Sequence, residues 1–198
     1  AGRRWFVLAP NDIDDERKEL ELRLDAILSE SAPTGDSPVV VSRVFPIAEA
    51  AYESSELQVS RRFLSPSKAQ QKRAAAERKR VREVLTTWTE ERLWQGSFQR
   101  PTETQETSPF GTKRTLNGKK QSRHLGWDLD GKTGDPILAS GRGRAVLVDD
   151  LFYSGGTVVL DHGQGLFTLY FHMSAFDVKP GDLVERGQLI GKVGKTGR

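Results

Sequence analysis

His124 and Asp128 lie four residues apart in the segment Ser122–Asp130, which reads Ser-Arg-His-Leu-Gly-Trp-Asp-Leu-Asp. An imidazole nitrogen and a carboxylate oxygen are both zinc ligands. In a straight strand these residues would be about 13 Å apart, so the segment must curl to offer both to one ion. We expect Gly126 to supply the backbone freedom for that curl. The alternative is a surface histidine and an aspartate that caps a turn, and the pair alone leaves both interpretations open.

A second candidate is His172, at the end of the segment Leu166–Met173. Alternate residues of a strand point to opposite faces. This rule assigns the packed face to four apolar residues: Phe167, Leu169, Phe171 and Met173. His172 then projects to the other face beside Tyr170, where it could work in a cleft. A simple surface histidine is the alternative.

The remaining histidine, His162, follows Asp161 in a tight Asp-His-Gly-Gln-Gly turn. Polar residues are common in such turns, so we predict a hairpin role for it and leave it out of the site. The chain has three histidines and no cysteine. Zinc sites made of thiolates and disulfide bonds are therefore both excluded.

The first part of the chain, residues 1–64, is predicted to be a small accessory β-region. Glu19–Asp25 alternates charged and apolar residues, as a strand with one solvated face does. Ser37–Val44, which follows the turn-forming Pro33–Asp36, and Leu57–Phe63 are two further strand candidates.

Residues 65–95 are predicted to be a linking helix that starts with Ser65 as its cap and Pro66 in its first turn. One apolar stripe must dock on another element; it consists of Val81, Val84, Leu85 and Trp88. The first half of the helix is rich in lysine and arginine. A nucleic-acid interface is one interpretation of that run. A solvated helix face is favoured, because no aromatic residues interleave the charges.

From residue 96 onward the pattern changes to short strands and glycine turns, which is typical of an antiparallel meander. The 198 residues carry a formal net charge of +3, which permits an anionic partner such as nucleic acid or a cell-wall polymer. No apolar run approaches the roughly 20 residues that span a bilayer. The chain opens on Ala1 without a signal peptide, so a processed form or an excised fragment is expected.

The ordered set of motifs in this last part resembles the lysostaphin-like (LytM-type) zinc metallopeptidases of bacterial cell-wall peptidoglycan. The matching segments are Ser108–Arg114, Asn117–Gly118, His124–Leu129, Thr133–Ile137, Leu160–Gly165, Thr168–His172 and Val178–Gln188. The resemblance implies a mainly β fold with one long helix, in which residues 96–198 form an antiparallel LytM-type (duplicated hybrid motif-like) domain behind the small N-terminal β-region.

The same resemblance implies the roles of three residues. His124 and Asp128 would be Zn²⁺ ligands and His172 the catalytic histidine. Tyr170, two residues before His172 on the same predicted face, is expected only to line the site. The family's third ligand belongs to a His-x-His pair, which is expected beyond Arg198. The implied activity is a zinc-dependent endopeptidase that hydrolyses peptide bonds of peptidoglycan in the bacterial envelope, with no nucleic-acid partner. A catalytically inactive relative that binds peptidoglycan or activates another wall hydrolase is the alternative.

Overall fold

The computed structural model describes residues 17–26, 39–48 and 51–197. The chain divides into two compact units, Ala1–Glu53 and Ser54–Arg198. The described strands are β1 (Glu19–Ala26), β2 (Val39–Pro46), β3 (Ser54–Leu57), β4 (Glu106–Ser108), β5 (Lys113–Leu116), β6 (Lys120–Arg123), β7 (Asp128–Leu129), β8 (Pro136–Leu138), β9 (Gly143–Leu151), β10 (Gly155–Asp161), β11 (Phe167–Met173), β12 (Ala175–Phe176), β13 (Leu183–Val184) and β14 (Leu189–Lys192). The described helices are α1 (Arg61–Leu64) and α2 (Lys68–Leu85).

In the first unit, β1 and β2 form an antiparallel pair whose register runs from Glu19 opposite Pro46 to Ala26 opposite Val39. The predicted strand over 19–25 is confirmed as β1. The second predicted strand, 37–44, is observed as β2 from Val39 onward. Its first two residues, and the predicted turn before them, lie outside the described residues.

The third predicted strand, 57–63, is wrong in its position. β3 begins at Ser54 and ends at Leu57, and α1 follows it. β3 pairs in parallel with β5, and Asn117 at the end of β5 binds Val59 through both its amide oxygen and its amide nitrogen. The division between the two compact units therefore precedes Ser54, whereas the predicted accessory region continues to residue 64.

Helix α2 is shorter than the predicted 65–95, and Ser67 caps it in place of Ser65. The Ser67 hydroxyl accepts the Gln70 N–H at 3.3 Å, and the Gln70 side chain accepts the Ser67 N–H at 2.9 Å. Such a capping box satisfies two otherwise unpaired donors. The helix ends at Leu85 because the hydroxyls of Thr86 and Thr87 bind the carbonyl oxygens of Arg82 and Val84.

The apolar stripe of α2 docks as predicted at three of its four positions. Val81, Val84 and Leu85 pack on a buried cluster of the β9–β10 sheet. Trp88 lies beyond the end of the helix and is 69% exposed, so its assignment to the stripe is wrong. Ion pairs of Arg73 with Asp150 and of Arg80 with Asp149 also join α2 to β9.

The second unit is built on the antiparallel meander that the glycine turns predicted. A four-stranded sheet has the order β11-β10-β9-β13, and β10 is buried along its whole length. Smaller sheets have the orders β12-β14-β8, β3-β5-β6 and β4-β7. The fold is therefore mainly β with antiparallel sheets and one long helix. None of the helices in the described parts of the chain is long and apolar enough to cross a membrane.

The main core lies between the four-stranded sheet and β14. Val158, Leu160, Val184 and Ile190 are all completely buried there. Burying one such side chain contributes about 1.5–3 kcal/mol. This core fixes β11 and the segment after β14, which together position one of the candidate histidines.

Candidate metal centre

His124 follows β6 and is held by backbone hydrogen bonds on both sides. Its N–H donates to the Thr112 carbonyl at 3.0 Å, and its carbonyl accepts the Gly111 N–H at 2.8 Å. The side chain is 8% exposed. Hydrogen bonds to Gly111 and Thr112, the two residues before β5, therefore fix the backbone of His124, so this histidine does not lie at the tip of a mobile loop.

The chain curls between His124 and Asp128, as it must if both side chains are to reach one ion. His124 Nε2 lies 2.9 Å from Asp128 Oδ1. Gly126 adopts no left-handed φ, and a Cβ added to it would meet only His124 Nε2, at an ordinary 3.6 Å. The prediction of the curl is confirmed, whereas its attribution to the conformational freedom of Gly126 is wrong. Pairing of β7 with β4 instead holds Asp128 opposite Ser108.

The hydrogen bonds of His124 determine which of its nitrogens can bind a metal. Nδ1 lies 2.9 Å from the Pro109 carbonyl oxygen, and a carbonyl only accepts, so Nδ1 carries a proton. Nε2 of the neutral ring then presents a lone pair to a carboxylate oxygen. Two acceptors this close need a cation, either a proton or a metal ion, to bridge them.

This donor set fits zinc. Neutral imidazole nitrogen and carboxylate oxygen bind zinc at about 2.0–2.2 Å. A histidine that donates its other N–H to a backbone carbonyl is the usual outer arrangement of a zinc ligand. Among the described residues, no group of three or more histidine, cysteine, aspartate or glutamate side chains is placed to hold a metal. The third ligand stays a prediction.

Arg114 completes the surroundings of the pair, although the sequence pattern had not predicted it as a site residue. Its Nη2 lies 2.5 Å from Asp128 Oδ2 and 2.7 Å from Ser108 Oγ. One carboxylate oxygen is thus held by the guanidinium, while the other faces His124. The available signal was the inclusion of Ser108 and Arg114 in one matching segment, Ser108–Arg114.

His172 lies on β11, at a bulge that the alternation rule did not anticipate. Val158 of β10 pairs with Tyr170 and Gly156 pairs with Met173, so β11 has one extra residue between these pairs. His172 adopts a left-handed φ of 61° at this point. A bulge re-aims side chains, and non-glycine residues with positive φ often mark functional sites.

The ring of His172 is oriented like that of His124. Nδ1 lies 2.7 Å from the Thr196 carbonyl oxygen and must donate to it. Nε2 of the neutral ring is therefore the nitrogen that can accept a proton. Thr196 is itself fixed, because its hydroxyl donates to the Met173 carbonyl and accepts the Gly156 N–H.

The predicted packed face of β11 is confirmed for Phe167 and Met173, which pack on the two core clusters, and is wrong for Leu169 and Phe171. Tyr170 and Met173 are both buried in the main core, whereas Leu169 and Phe171 are 38% and 46% exposed. The Tyr170 hydroxyl accepts the Ser140 N–H at 2.8 Å. Tyr170 therefore does not share an exposed face with His172, and its predicted place along a cleft beside that histidine is corrected to a core position.

His162 is completely buried at the β10–β11 turn, which agrees with a structural role in that hairpin. Nδ1 donates to the Arg142 carbonyl at 2.8 Å, and Nε2 lies 2.7 Å from the Thr168 hydroxyl. Burial lowers the pKa of His162 below its ordinary value, and the Arg142 carbonyl and the charge of Asp161 oppose that effect.

Within the described structure, His172 forms no hydrogen bond or ion pair with His124 or Asp128, but the segment after β14 connects their surroundings. The Val193 carbonyl accepts the N–H of Gly134, which follows β7, and the hydroxyl of Ser174, which follows β11. Three residues later, Thr196 holds His172. The structure thus joins two of the predicted ligands directly and places His172 on a strand tied to the same segment.

Comparisons with known proteins identify the family that the C-terminal part of the chain matches. Residues 122–198 match the family model described as Peptidase family M23. Two relatives from Vibrio cholerae are the peptidoglycan DD-endopeptidase ShyA, 41% identical over 80 residues (40% of this chain and 19% of that protein), and ShyB, 36% identical over 94 residues (46% and 22%). The chain therefore spans about a fifth of the length of these curated relatives.

A solved structure extends the likeness over more of the chain. The crystal structure of an M23 peptidase from Pseudomonas aeruginosa is 28% identical, with a TM-score of 0.62, and the match covers 81% of this chain and 58% of that one. The match thus includes residues outside 122–198. Residues 122–198 therefore match a peptidase M23 domain, and this part of the chain is homologous to the DD-endopeptidases ShyA and ShyB.

Proposed function

We propose that the protein to which this chain belongs is a zinc-dependent endopeptidase that hydrolyses peptide bonds of peptidoglycan in the bacterial envelope. The observation that carries the proposal is the geometry of His124, whose proton on Nδ1 leaves Nε2 facing Asp128 Oδ1 at 2.9 Å. The names of the V. cholerae relatives support the choice of peptidoglycan as substrate.

His124 and Asp128 would hold the metal, with a third protein ligand expected beyond Arg198. When bound in such a site, zinc polarises the scissile carbonyl and lowers the pKa of water to about 7. Arg114 would keep Asp128 in place through Oδ2 and leave Oδ1 for the metal. Its guanidinium also offsets part of the carboxylate charge, since charge-assisted hydrogen bonds of this kind are strong.

His172 would act as the general base. Its Nδ1 donates to the Thr196 carbonyl, so Nε2 is free of a proton in the neutral ring and can accept one from the attacking water. The bulge and the left-handed φ fix the direction of the ring before substrate arrives. Such preorganisation avoids the cost of ordering the base during the reaction.

The test is digestion of purified cross-linked muropeptides by the natural protein that contains this chain. After removal of metal with a chelator and readdition of zinc, we expect cleavage of the dimers, with products identified by mass spectrometry. Asp128→Asn is expected to abolish cleavage. Asp177→Asn is the matched control, because Asp177 is exposed and forms no hydrogen bond or ion pair with His124 or Asp128 in the described structure, and it should retain full activity.

The alternative is a catalytically silent protein that binds peptidoglycan or activates another hydrolase. Zinc-loaded protein that leaves every dimer intact, yet binds insoluble peptidoglycan, would support this alternative and contradict the endopeptidase proposal.

A further inference from the structure

The segment that follows β14, residues 194–197, packs closely against the start of β10. Gly155, the first residue of β10, has a left-handed φ of 62°, and a Cβ added to it would overlap Thr196. Gly197 has a φ of 75°, and a Cβ added to it would overlap the backbone of Gly155. Glycine tolerates both a positive φ and a close approach of two backbones. These two glycines therefore allow the segment to lie in direct contact with β10.

The hydroxyl of Thr196 joins this segment to two strands. It accepts the Gly156 N–H of β10 at 2.8 Å and donates to the Met173 carbonyl of β11 at 2.8 Å. Gly156 and Met173 are paired across the two strands, directly after the bulge in β11. The hydroxyl therefore holds Thr196 in a fixed position relative to the bulge that carries His172.

The carbonyl of the same threonine faces the ring of His172. It accepts the Nδ1 proton at 2.7 Å, and within the described residues it is the one hydrogen-bond partner of the ring. The His172 N–H donates separately to the Ser154 carbonyl at 2.8 Å. Which nitrogen of a neutral imidazole carries the proton is set by the hydrogen bond that the ring makes. The position of the Thr196 carbonyl therefore decides the tautomer of His172.

We propose that Thr196 is a positioning residue for His172. Its hydroxyl sets where its carbonyl lies, and the carbonyl keeps the proton on Nδ1, so that Nε2 of the neutral ring stays free to accept one. The inference rests on the proposed function, since it takes His172 to be the general base. Without the hydroxyl, the carbonyl is no longer held beside Nδ1, and part of the neutral rings carry their proton on Nε2, where they cannot accept another. Thr196 thus acts through His172 and is not itself a catalytic residue.

The test is the tautomer of His172 in the natural protein, read by NMR from the nitrogen chemical shifts of the isotopically labelled ring. Spectra are recorded at about pH 8.5, where histidine side chains are ordinarily neutral, and the signals are assigned by their loss in His172→Ala. The wild type should carry the proton on Nδ1 alone. Thr196→Val keeps the shape of the side chain but removes the hydroxyl, and it should show both tautomers. Thr196→Ser retains a hydroxyl and should restore the wild-type signals.

Ser174→Ala is the matched control. The Ser174 hydroxyl donates to the Val193 carbonyl at 2.7 Å, so it ties the same segment to the end of β11 without a hydrogen bond to Thr196 or His172 in the described structure. This variant should leave the tautomer unchanged. A shift in Ser174→Ala as large as that in Thr196→Val would show that general loosening of the segment is the cause, and it would overturn the inference. A wild-type ring with its proton on Nε2 would overturn it even if Thr196→Val does not fold.

Kinetics with cross-linked muropeptides give a second readout. Thr196→Val should lower kcat about tenfold and leave KM unchanged, since a general base contributes roughly 10²–10⁴-fold and only part of that contribution is lost. Thr196→Ser should recover most of the wild-type kcat, and an unchanged kcat in Thr196→Val would overturn the inference. If the wild type cleaves no muropeptide but the tautomer responds to Thr196→Val as expected, the endopeptidase proposal falls and the positioning of His172 by Thr196 stands.

Discussion

At the level of single residues, His124 and His172 have the same hydrogen-bond arrangement at Nδ1. Each donates its Nδ1 proton to a backbone carbonyl, that of Pro109 or that of Thr196, so each neutral ring offers Nε2 as an acceptor. The two residues differ in the surroundings of Nε2. In His124 this nitrogen lies 2.9 Å from a carboxylate oxygen of Asp128. The same tautomer thus suits His124 to bind a metal ion and His172 to accept a proton.

Arg114 is expected to tune the metal affinity of Asp128. Replacement by methionine removes the bond to Oδ2 and keeps most of the side-chain volume. Loss of such an outer contact lowers metal affinity about 10–100-fold. Competition with a chromophoric chelator would measure this, and Arg186→Met, at an exposed position away from the site, is the control. Unchanged zinc affinity in Arg114→Met would show that this contact does not hold the ligand.

His162 is expected to make stability depend on pH. Because burial lowers its pKa below 6.5, the unfolded chain takes up a proton at a higher pH than the folded protein does. The free energy of unfolding should therefore fall as the pH decreases below about 6.5. His162→Gln removes the titrating group, and its urea unfolding free energy should vary less between about pH 7.5 and pH 5.5. Equal slopes for both proteins would rule out His162 as the cause.

At the scale of elements, the bulge in β11 determines how the site is built. It places Tyr170 and Met173, three residues apart, in the same core, and it leaves His172 between them with a left-handed backbone. A regular strand would carry these residues on alternating faces. The position of the catalytic candidate therefore depends on an interruption of the strand that the strand pattern does not encode.

The cap of α2 gives a direct test at this scale. Ser67→Ala removes the hydroxyl that accepts the Gln70 N–H and should lower the free energy of unfolding by about 1 kcal/mol. Ser65→Ala, two residues earlier, should change it by less than about 0.5 kcal/mol. Thermal or urea unfolding of both variants would show which serine caps the helix. A larger loss of unfolding free energy in Ser65→Ala than in Ser67→Ala would contradict the observed cap.

The sequence predicted the meander, the docking stripe of α2 and the closeness of His124 to Asp128, because each depends on residue type and spacing. The roles of Arg114 and Thr196 depend on tertiary contacts. The same holds for the true position of β3, which is set by pairing with β5 rather than by its own pattern. Local pattern alone therefore misplaced the third strand and the face of Tyr170.

At the scale of the molecule, three of the seven basic residues of α2 form ion pairs in the described structure. Arg73 pairs with Glu77 and Asp150, Arg80 with Asp149, and Lys79 with Glu83. These pairs are exposed, so each contributes at most about 1 kcal/mol to stability. They nevertheless offset part of the local positive charge that suggested a nucleic-acid interface.

We therefore expect no specific binding to nucleic acid. Fluorescence anisotropy with labelled duplex and single-stranded DNA in low salt should show no saturable binding in the micromolar range. A protein that bound through the basic helix would show affinity falling steeply with salt concentration. Such a slope, lost on replacing Arg78 and Arg82 of α2 by glutamine, would contradict this expectation.

We propose that His124 and Asp128 together hold zinc and that His172 acts on the reaction rather than on the metal. The most direct measurement is the zinc content of the purified natural protein and of its His124→Ala and His172→Ala variants, by mass spectrometry of the metal. We predict one zinc per chain in the wild type and in His172→Ala, which should have lost turnover, and little zinc in His124→Ala. Absence of zinc from the wild type, or equal zinc loss in both variants, would contradict the claim.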